Sequence, residues 1–179
     1  MNKASIVTEM QNLVHYFTET CLSIEDDIFF TKPKGKWSVA ENIQHLILSA
    51  NTTLLAFQLP KTLIRWIGGI PTHASRSYEE VHTLYNKKLD EGAKASARYI
   101  PKPLHIKKDK SYILNKWNTV NSRFIFVLNK KNTEQELDRY LITHPLLGPI
   151  TLRELCYFTL FHTSHHLNSI IKLSAVQTA

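Results

Sequence analysis

Apolar residues recur at helical spacing in four long stretches of this chain, and this pattern limits the fold more than any other feature. The stretches cover approximately residues 4–22, 39–57, 111–130 and 152–173. Apolar side chains three and four positions apart lie on one face of an α-helix, where they can pack against other helices. Strand signals are nearly absent, because apolar and polar residues nowhere alternate for more than a few positions. The pattern predicts an all-α fold.

The segment between the second and third predicted helices, residues 58–110, has a looser pattern broken by glycine and proline. Two shorter helices are predicted inside it, near 61–67 and near 77–95. A connection of this length is a crossover and not a tight turn. We therefore predict one domain over residues 1–179, a four-helix bundle with a long crossover between helices two and three.

Two of the predicted helices begin with a capping box, in which a serine or threonine and a glutamate three residues later exchange hydrogen bonds. Ser38 and Glu41 form this motif before the second helix, and Thr151 and Glu154 form it before the last one. These boxes fix where both helices begin and therefore which side chains point inward.

The cysteine content restricts the kinds of site that the chain can build. Cys21 and Cys156 are far apart and lack the spacing of a thiolate metal site, so we interpret both as small core residues. Any bound metal must then use histidine or carboxylate ligands.

The chain has a formal net charge of +7, but its basic residues are scattered. The one local cluster, Lys102–Lys110, is expected to be a solvated loop, so we expect no nucleic-acid partner and a preference for anionic small molecules. Neither a bilayer-spanning apolar run nor a secretory signal is evident, which favours a cytoplasmic protein without a membrane partner.

Three histidines lie within five positions of the last predicted helix, in the segment FHTSHHLNSI. His162 and His166 are four residues apart and project from one face, whereas His165 is turned to the flank. Two imidazoles at this spacing can bind one divalent ion at about 2.0–2.1 Å. The segment lacks the glutamate of the H-E-x-x-H motif, so a metalloprotease of that type is excluded.

His45, on the second predicted helix, is the candidate for a third ligand. It follows Ser38 by seven residues, and the polar Ser49 and Thr52 on its face suggest a lined cavity. A lone histidine in such a position is more often a satisfied core residue, but the inward pair on the last helix favours a ligand. A divalent metal bound by His45, His162 and His166 is the resulting prediction.

Three further residues near this site have structural interpretations, and two of them also have functional ones. Glu41, one turn before His45, belongs to the capping box and is also a candidate catalytic residue that orients water or a ligand. His144 is expected to shape the start of the last helix. His165 is expected to be a solvated group or a hydrogen-bond donor behind the ligands.

Two sequence blocks resemble the DinB and YfiT-like superfamily. GKWSVAENIQHL, residues 35–46, resembles its W-S-x-x-E-x-x-x-H-L signature, and residues 144–170 are similar to its H-P-x-x-G block followed by H-x-x-H-H. The resemblance implies a four-helix bundle with a long crossover, a metal triad at His45, His162 and His166, and frequent dimers. Family members bind zinc, nickel or other divalent ions, and several transfer bacillithiol or mycothiol. Ser169 departs from the glutamine usual there, which leaves the substrate open.

These observations lead to hypotheses of different classes. The first is an enzyme that transfers a low-molecular-weight thiol to an electrophilic small molecule, with the thiolate activated on zinc, or alternatively on nickel or iron. The second is a hydrolase that uses metal-bound water. The third is a non-catalytic metal-binding bundle, which a fourth ligand such as Asp27, Glu41 or Glu154 would favour. A homodimer is expected in each case.

Overall fold

A computed structural model describes residues 1–102 and 109–177. These ranges contain eight α-helices and two strands. None of the helices there is long and apolar enough to cross a bilayer. In chain order they are α1 (Lys3–Leu22), α2 (Asp26–Phe30), α3 (Val39–Gln58), α4 (Lys61–Gly68), α5 (Tyr78–Asp90), α6 (Lys110–Lys131), α7 (Glu136–Arg139), β1 (Leu141–His144), β2 (Gly148–Thr151) and α8 (Leu152–Gln177).

The long helices α1, α3, α6 and α8 form a four-helix bundle. Helix α3 packs against α6 and α8, and α1 packs against the same two helices. Their inward faces bury large side chains such as Phe17, Trp117 and Phe124. The predicted bundle, with its long crossover between α3 and α6, is confirmed.

Both predicted capping boxes are present. The Glu41 amide donates to Ser38 Oγ over 3.1 Å, and Glu41 Oε2 accepts from the Ser38 amide over 2.9 Å. Thr151 and Glu154 exchange the same pair of bonds at the start of α8, over 3.2 and 3.0 Å. The two helices that carry the candidate ligands therefore begin where the sequence places them.

The crossover differs from its prediction in detail. Helix α5 ends at Asp90, earlier than expected, because the chain turns at Gly92, whose φ of +83° is favourable only for glycine. A single 3₁₀ turn, Ala97–Tyr99, follows it and contacts α3. Residues 103–108, which contain most of the predicted basic cluster, lie outside the described residues.

A short antiparallel hairpin, β1 and β2, was not predicted from the sequence, in which strand signals are nearly absent. Leu141 pairs with Thr151 and His144 with Gly148. Each strand has four residues, too few for an alternating pattern to be distinguished in the sequence. The hairpin leads directly into α8 and lies against α4.

Both cysteines are free and fully buried, as expected of small core residues. Burial raises the pKa of Cys21 to about 12 and also raises the pKa of Cys156. Because the thiolate is the reactive form of cysteine, neither side chain is suited to act as a nucleophile.

Candidate metal centre

Three histidines from two helices meet in the bundle interior. His45 of α3 and His162 and His166 of α8 have exposed fractions of 5%, 7% and 8%. One ring nitrogen from each lies within 4.8 Å of the others, and the Nε2 atoms of His45 and His162 are 2.9 Å apart. The structure thus brings together the three residues that the sequence selected.

In His45 and in His166, a hydrogen bond at Nδ1 orients the ring so that its Nε2 atom points towards this cluster. His45 Nδ1 donates to the backbone carbonyl of Tyr99 over 2.8 Å, and His166 Nδ1 donates to Asn42 Oδ1 over 2.7 Å. A neutral imidazole that donates through Nδ1 keeps its Nε2 lone pair free. Metal-binding histidines are oriented by contacts of this kind in most proteins.

Asn42 is a site residue that the sequence analysis missed. Its Nδ2 donates to the Ser38 carbonyl over 2.8 Å, which fixes the amide so that Oδ1 faces His166. A polar residue three positions before His45, in the same row as Ser49 and Thr52, was the available signal. The Tyr99 contact had no signal, because it uses a backbone carbonyl of the crossover.

The electrostatic surroundings keep the cluster uncharged. Burial, with a further contribution from the neighbouring histidines, lowers the pKa of His162 and of His166 well below 6.5. Burial also lowers the pKa of His45, against an opposing effect of its bond to Tyr99. Neutral imidazole is the form that binds metal, so the ligands need not lose protons at neutral pH.

The donor set and its geometry fit a divalent ion. A tetrahedral ion with metal–nitrogen distances of about 2.0–2.1 Å holds two ring nitrogens roughly 3.3 Å apart. The nitrogens of the cluster already lie within 4.8 Å of one another. Small shifts of the rings therefore suffice, and three protein ligands leave a fourth tetrahedral position for an exogenous group.

The cluster forms part of the wall of a cavity of about 550 Å³. Trp37 packs against His45 with ring centroids 4.9 Å apart, and Phe158 stacks on His162 at 5.0 Å. Ser49 and Thr52 also line the cavity, as their position on α3 suggested. A cavity of this volume accommodates a small molecule.

The acidic candidates lie elsewhere. Glu41 Oε1 accepts from Lys32 over 2.7 Å, and its other oxygen serves the capping box. Glu154 bonds the backbone and side chain of Arg76, and Asp27 is exposed on α2. In the described part of the chain, no carboxylate joins the cluster or lines the cavity.

The remaining predicted residues divide between the cavity and the helix surface. His165 lines the cavity but is exposed, and His144 lines it from the end of β1. His144 shapes the hairpin turn more directly than the start of α8, because the Leu146 and Leu147 amides donate to its Nδ1. Ser169 donates to the His165 carbonyl on the same helix.

The fold and the cluster together define a helical bundle with a three-histidine site beside a small-molecule cavity. The profile of the DinB superfamily matches residues 8–170, and the chain belongs to this superfamily. A comparison with curated proteins gives no significant match.

A solved structure resembles this chain over nearly its whole length. It is that of YfiT from Bacillus subtilis, described as a probable metal-dependent hydrolase with an unusual four-helix bundle topology. The TM-score is 0.63 at 19% sequence identity, and the match covers 98% of this chain and 87% of that chain. At this level of identity the likeness establishes the fold.

Proposed function

We propose that this protein is a metal-dependent enzyme that acts on a small molecule, with a divalent ion held by His45, His162 and His166. The observation that carries the proposal is the convergence of three buried, neutral imidazoles on the wall of a cavity of about 550 Å³. A structural metal site has four protein ligands, whereas a catalytic site usually has three. In the described residues the cluster has three members.

A divalent ion in this position would supply Lewis acidity, which lowers the pKa of a coordinated thiol or water. The protein contributes the orientation of the ligands through Asn42 and the Tyr99 carbonyl. Trp37 and Phe158 cover the rings and exclude water from one side of the site. Electrostatic interactions are stronger in such a surrounding than in bulk water.

Thiol transfer is the reaction that we favour. Hydrolysis usually needs a base that takes a proton from water, and carboxylates often fill that role. No carboxylate lines the cavity in the described part of the chain. A thiol has a pKa of about 8.5 and loses its proton far more readily than water, so it needs less help from a base. The sulfur would then bond to an electrophilic carbon of the small molecule and displace its leaving group, and the thiol proton would pass to solvent.

The cavity rim favours an anionic substrate. Lys94 and Arg98, both exposed, lie at the cavity, and no described lining residue carries a negative charge. A divalent ion held by neutral imidazoles would add further positive charge. A thiol or an electrophile with a carboxylate or phosphate group is therefore the expected ligand.

Hydrolysis is the second candidate, supported by the structural likeness to YfiT, which is described as a probable metal-dependent hydrolase. His165 lines the cavity and could serve as the base in that case. Partial desolvation of the ring at the cavity and the nearby Lys172 lower the pKa of His165, so its neutral form is available at neutral pH. Zinc is the expected metal, with nickel or iron as alternatives, because imidazole binds each of them. A homodimer remains a prediction.

A thiol-transfer screen on the zinc-loaded protein tests the proposal. Bacillithiol, mycothiol and cysteine would each be offered with 1-chloro-2,4-dinitrobenzene, and thiol consumption would be measured for the wild type and for His45→Ala. We expect the wild type to accelerate consumption of at least one thiol and the variant to lose that rate. Equal rates in the two proteins would refute thiol transfer at this site. Parallel assays with ester and amide substrates would then identify hydrolysis.

A further inference from the structure

His144 lies at the end of β1 and lines the same cavity as the candidate metal centre. Its ring packs on Phe158 with centroids 4.1 Å apart, and Phe158 in turn stacks on His162. A single aromatic ring thus separates His144 from one of the candidate ligands.

The hairpin turn fixes the tautomer of His144. The backbone amides of Leu146 and Leu147 both donate to its Nδ1, each over 3.2 Å. A nitrogen that accepts hydrogen bonds carries no proton, and a neutral imidazole has one N–H group. The proton of His144 is therefore on Nε2. This is the reverse of His45 and His166, which donate through Nδ1.

The Nε2–H group of His144 is available to a ligand. In the described part of the chain this nitrogen has no hydrogen-bond partner, and the only enclosed, unpaired side-chain nitrogen or oxygen there is Trp117 Nε1. The group is consequently not sealed inside the protein core. Burial of the ring lowers the pKa of His144 to about 4, so the imidazole is neutral at physiological pH.

We infer that His144 is a substrate-binding residue that donates its Nε2–H group to an oxygen atom of the substrate, such as a carboxylate or carbonyl oxygen. The inference deepens the proposed function, on which it rests for the presence of a substrate in the cavity. Because the backbone fixes its tautomer, the Nε2 atom of His144 can donate a hydrogen bond but cannot accept one. It can therefore bind an acceptor oxygen but not an ammonium group. Lys94 and Arg98 at the rim favour the same negatively charged ligands.

Two substitutions of His144 separate its contacts with the turn amides from its Nε2–H donor in the cavity. In His144→Asn the side-chain oxygen takes a position close to that of Nδ1 and can accept from the two amides, but the Nε2–H donor is lost. In His144→Gln the side-chain N–H group lies close to the position of Nε2, which retains a donor to the cavity. The first variant tests the inference, and the second is its matched control.

Binding of simple carboxylates gives the first measurement. Acetate, butyrate and hexanoate would be titrated into the zinc-loaded proteins by calorimetry, with butylammonium as an ion without an acceptor oxygen. We expect His144→Asn to bind the best carboxylate about tenfold more weakly than the wild type, as for loss of one hydrogen bond to a charged group. His144→Gln should recover part of the affinity. An unchanged affinity in a folded His144→Asn protein would overturn the inference.

Nitrogen NMR of the histidine-labelled wild type gives a second measurement that requires neither activity nor a stable variant. At about pH 7 the imidazole of His144 should carry its proton on Nε2, and this resonance should shift when the carboxylate binds. A proton on Nδ1 of His144, or an Nε2 resonance that does not shift when the carboxylate binds, would contradict the inference. If the protein bound no zinc, the proposed function would be refuted, but the tautomer of His144 could still be determined.

Discussion

The role of each buried histidine in the cavity depends on the atom that contacts its Nδ1. Tyr99 and Asn42 accept from His45 and His166, so these rings present a lone pair to the cluster. His144 accepts at the same atom and presents a proton to the cavity. Helical spacing and two capping boxes predicted that His45 and His166 would meet, but not the contacts that orient them. The role of His144 depends on backbone groups of a turn, which no side-chain pattern reveals.

Replacing Asn42 by leucine tests the orientation of His166. Leucine has nearly the same size but cannot accept from His166 Nδ1, so the ring loses the contact that fixes its direction. Loss of such a contact weakens metal affinity by about 10- to 100-fold, which competition with a chromogenic chelator would measure. Asn51→Leu is the control, because Asn51 is exposed on the same helix and, among the described residues, its side chain bonds only the Ile47 carbonyl. Equal affinity in both variants would exclude the orienting role.

At the scale of elements, the beginning of α3 determines the position of the site. The capping box fixes Ser38 and Glu41, and the next turns of α3 present Asn42 and His45 to α8. The same box accounts for both oxygens of Glu41, together with its ion pair to Lys32. A role of Glu41 in orienting water therefore requires these contacts to open.

Two substitutions of Glu41 distinguish capping from catalysis. Glutamine preserves a capping box, whereas alanine removes the bond from the Ser38 amide to the side chain of residue 41 and should lower the free energy of unfolding by about 1 kcal/mol. Because Glu41 is not among the described residues that line the cavity, we expect neither change to alter metal affinity or turnover. Urea unfolding and the thiol-transfer assay would measure both properties. A Glu41→Gln protein with wild-type stability and greatly reduced turnover would restore the catalytic interpretation.

The contact between α4 and the hairpin predicts that Gly68→Ala lowers the stability of the protein, whereas helix propensity alone predicts that it raises it. A Cβ atom added at Gly68 would lie 1.9 Å from the Leu141 carbonyl oxygen, so α4 or β1 must move. We expect Gly68→Ala to destabilise the protein by about 1–3 kcal/mol, although alanine is the better helix former. Thr62→Ala, at an exposed position of the same helix, should be neutral or slightly stabilising. Thermal unfolding of both variants tests this, and stabilisation by Gly68→Ala would show that the contact is absent.

At the scale of the whole molecule, the bundle supplies the candidate ligands, and the crossover and hairpin supply most of the cavity wall. The sequence predicted the bundle because long helices show many turns of one periodicity. It did not predict the hairpin or the 3₁₀ turn at Ala97–Tyr99, because each is too short to have a period. The convergence of the three histidines was therefore predictable, whereas most of the other residues that line the cavity were not.

The buried histidines make the stability of the metal-free protein depend on pH. The pKa values of His162 and His166 are well below 6.5 in the folded chain, and that of His144 is about 4. Below about pH 6.5 the unfolded chain consequently binds more protons than the folded chain, so stability falls as the pH falls towards about 4. Above about pH 7 all these rings are neutral in both states and contribute no slope.

Urea unfolding with a chelator present, at several pH values between about 7.5 and 4.5, measures this dependence. The double variant His162→Leu, His166→Leu should show a shallower loss over the same range. Midpoints in the wild type that stay constant or rise as the pH falls would contradict the burial of neutral rings.

Metal content tests the central claim most directly. The protein would be purified without a histidine tag, and its bound metals would be measured by mass spectrometry for the wild type, His45→Ala, His162→Ala and His166→Ala. His165→Ala is the control, since it changes the neighbouring, exposed histidine of the same helix. We expect about one divalent ion per chain in the wild type and in the control, and little in the other three. Metal retained in all three variants, or none bound by the wild type even after reconstitution, would contradict the account.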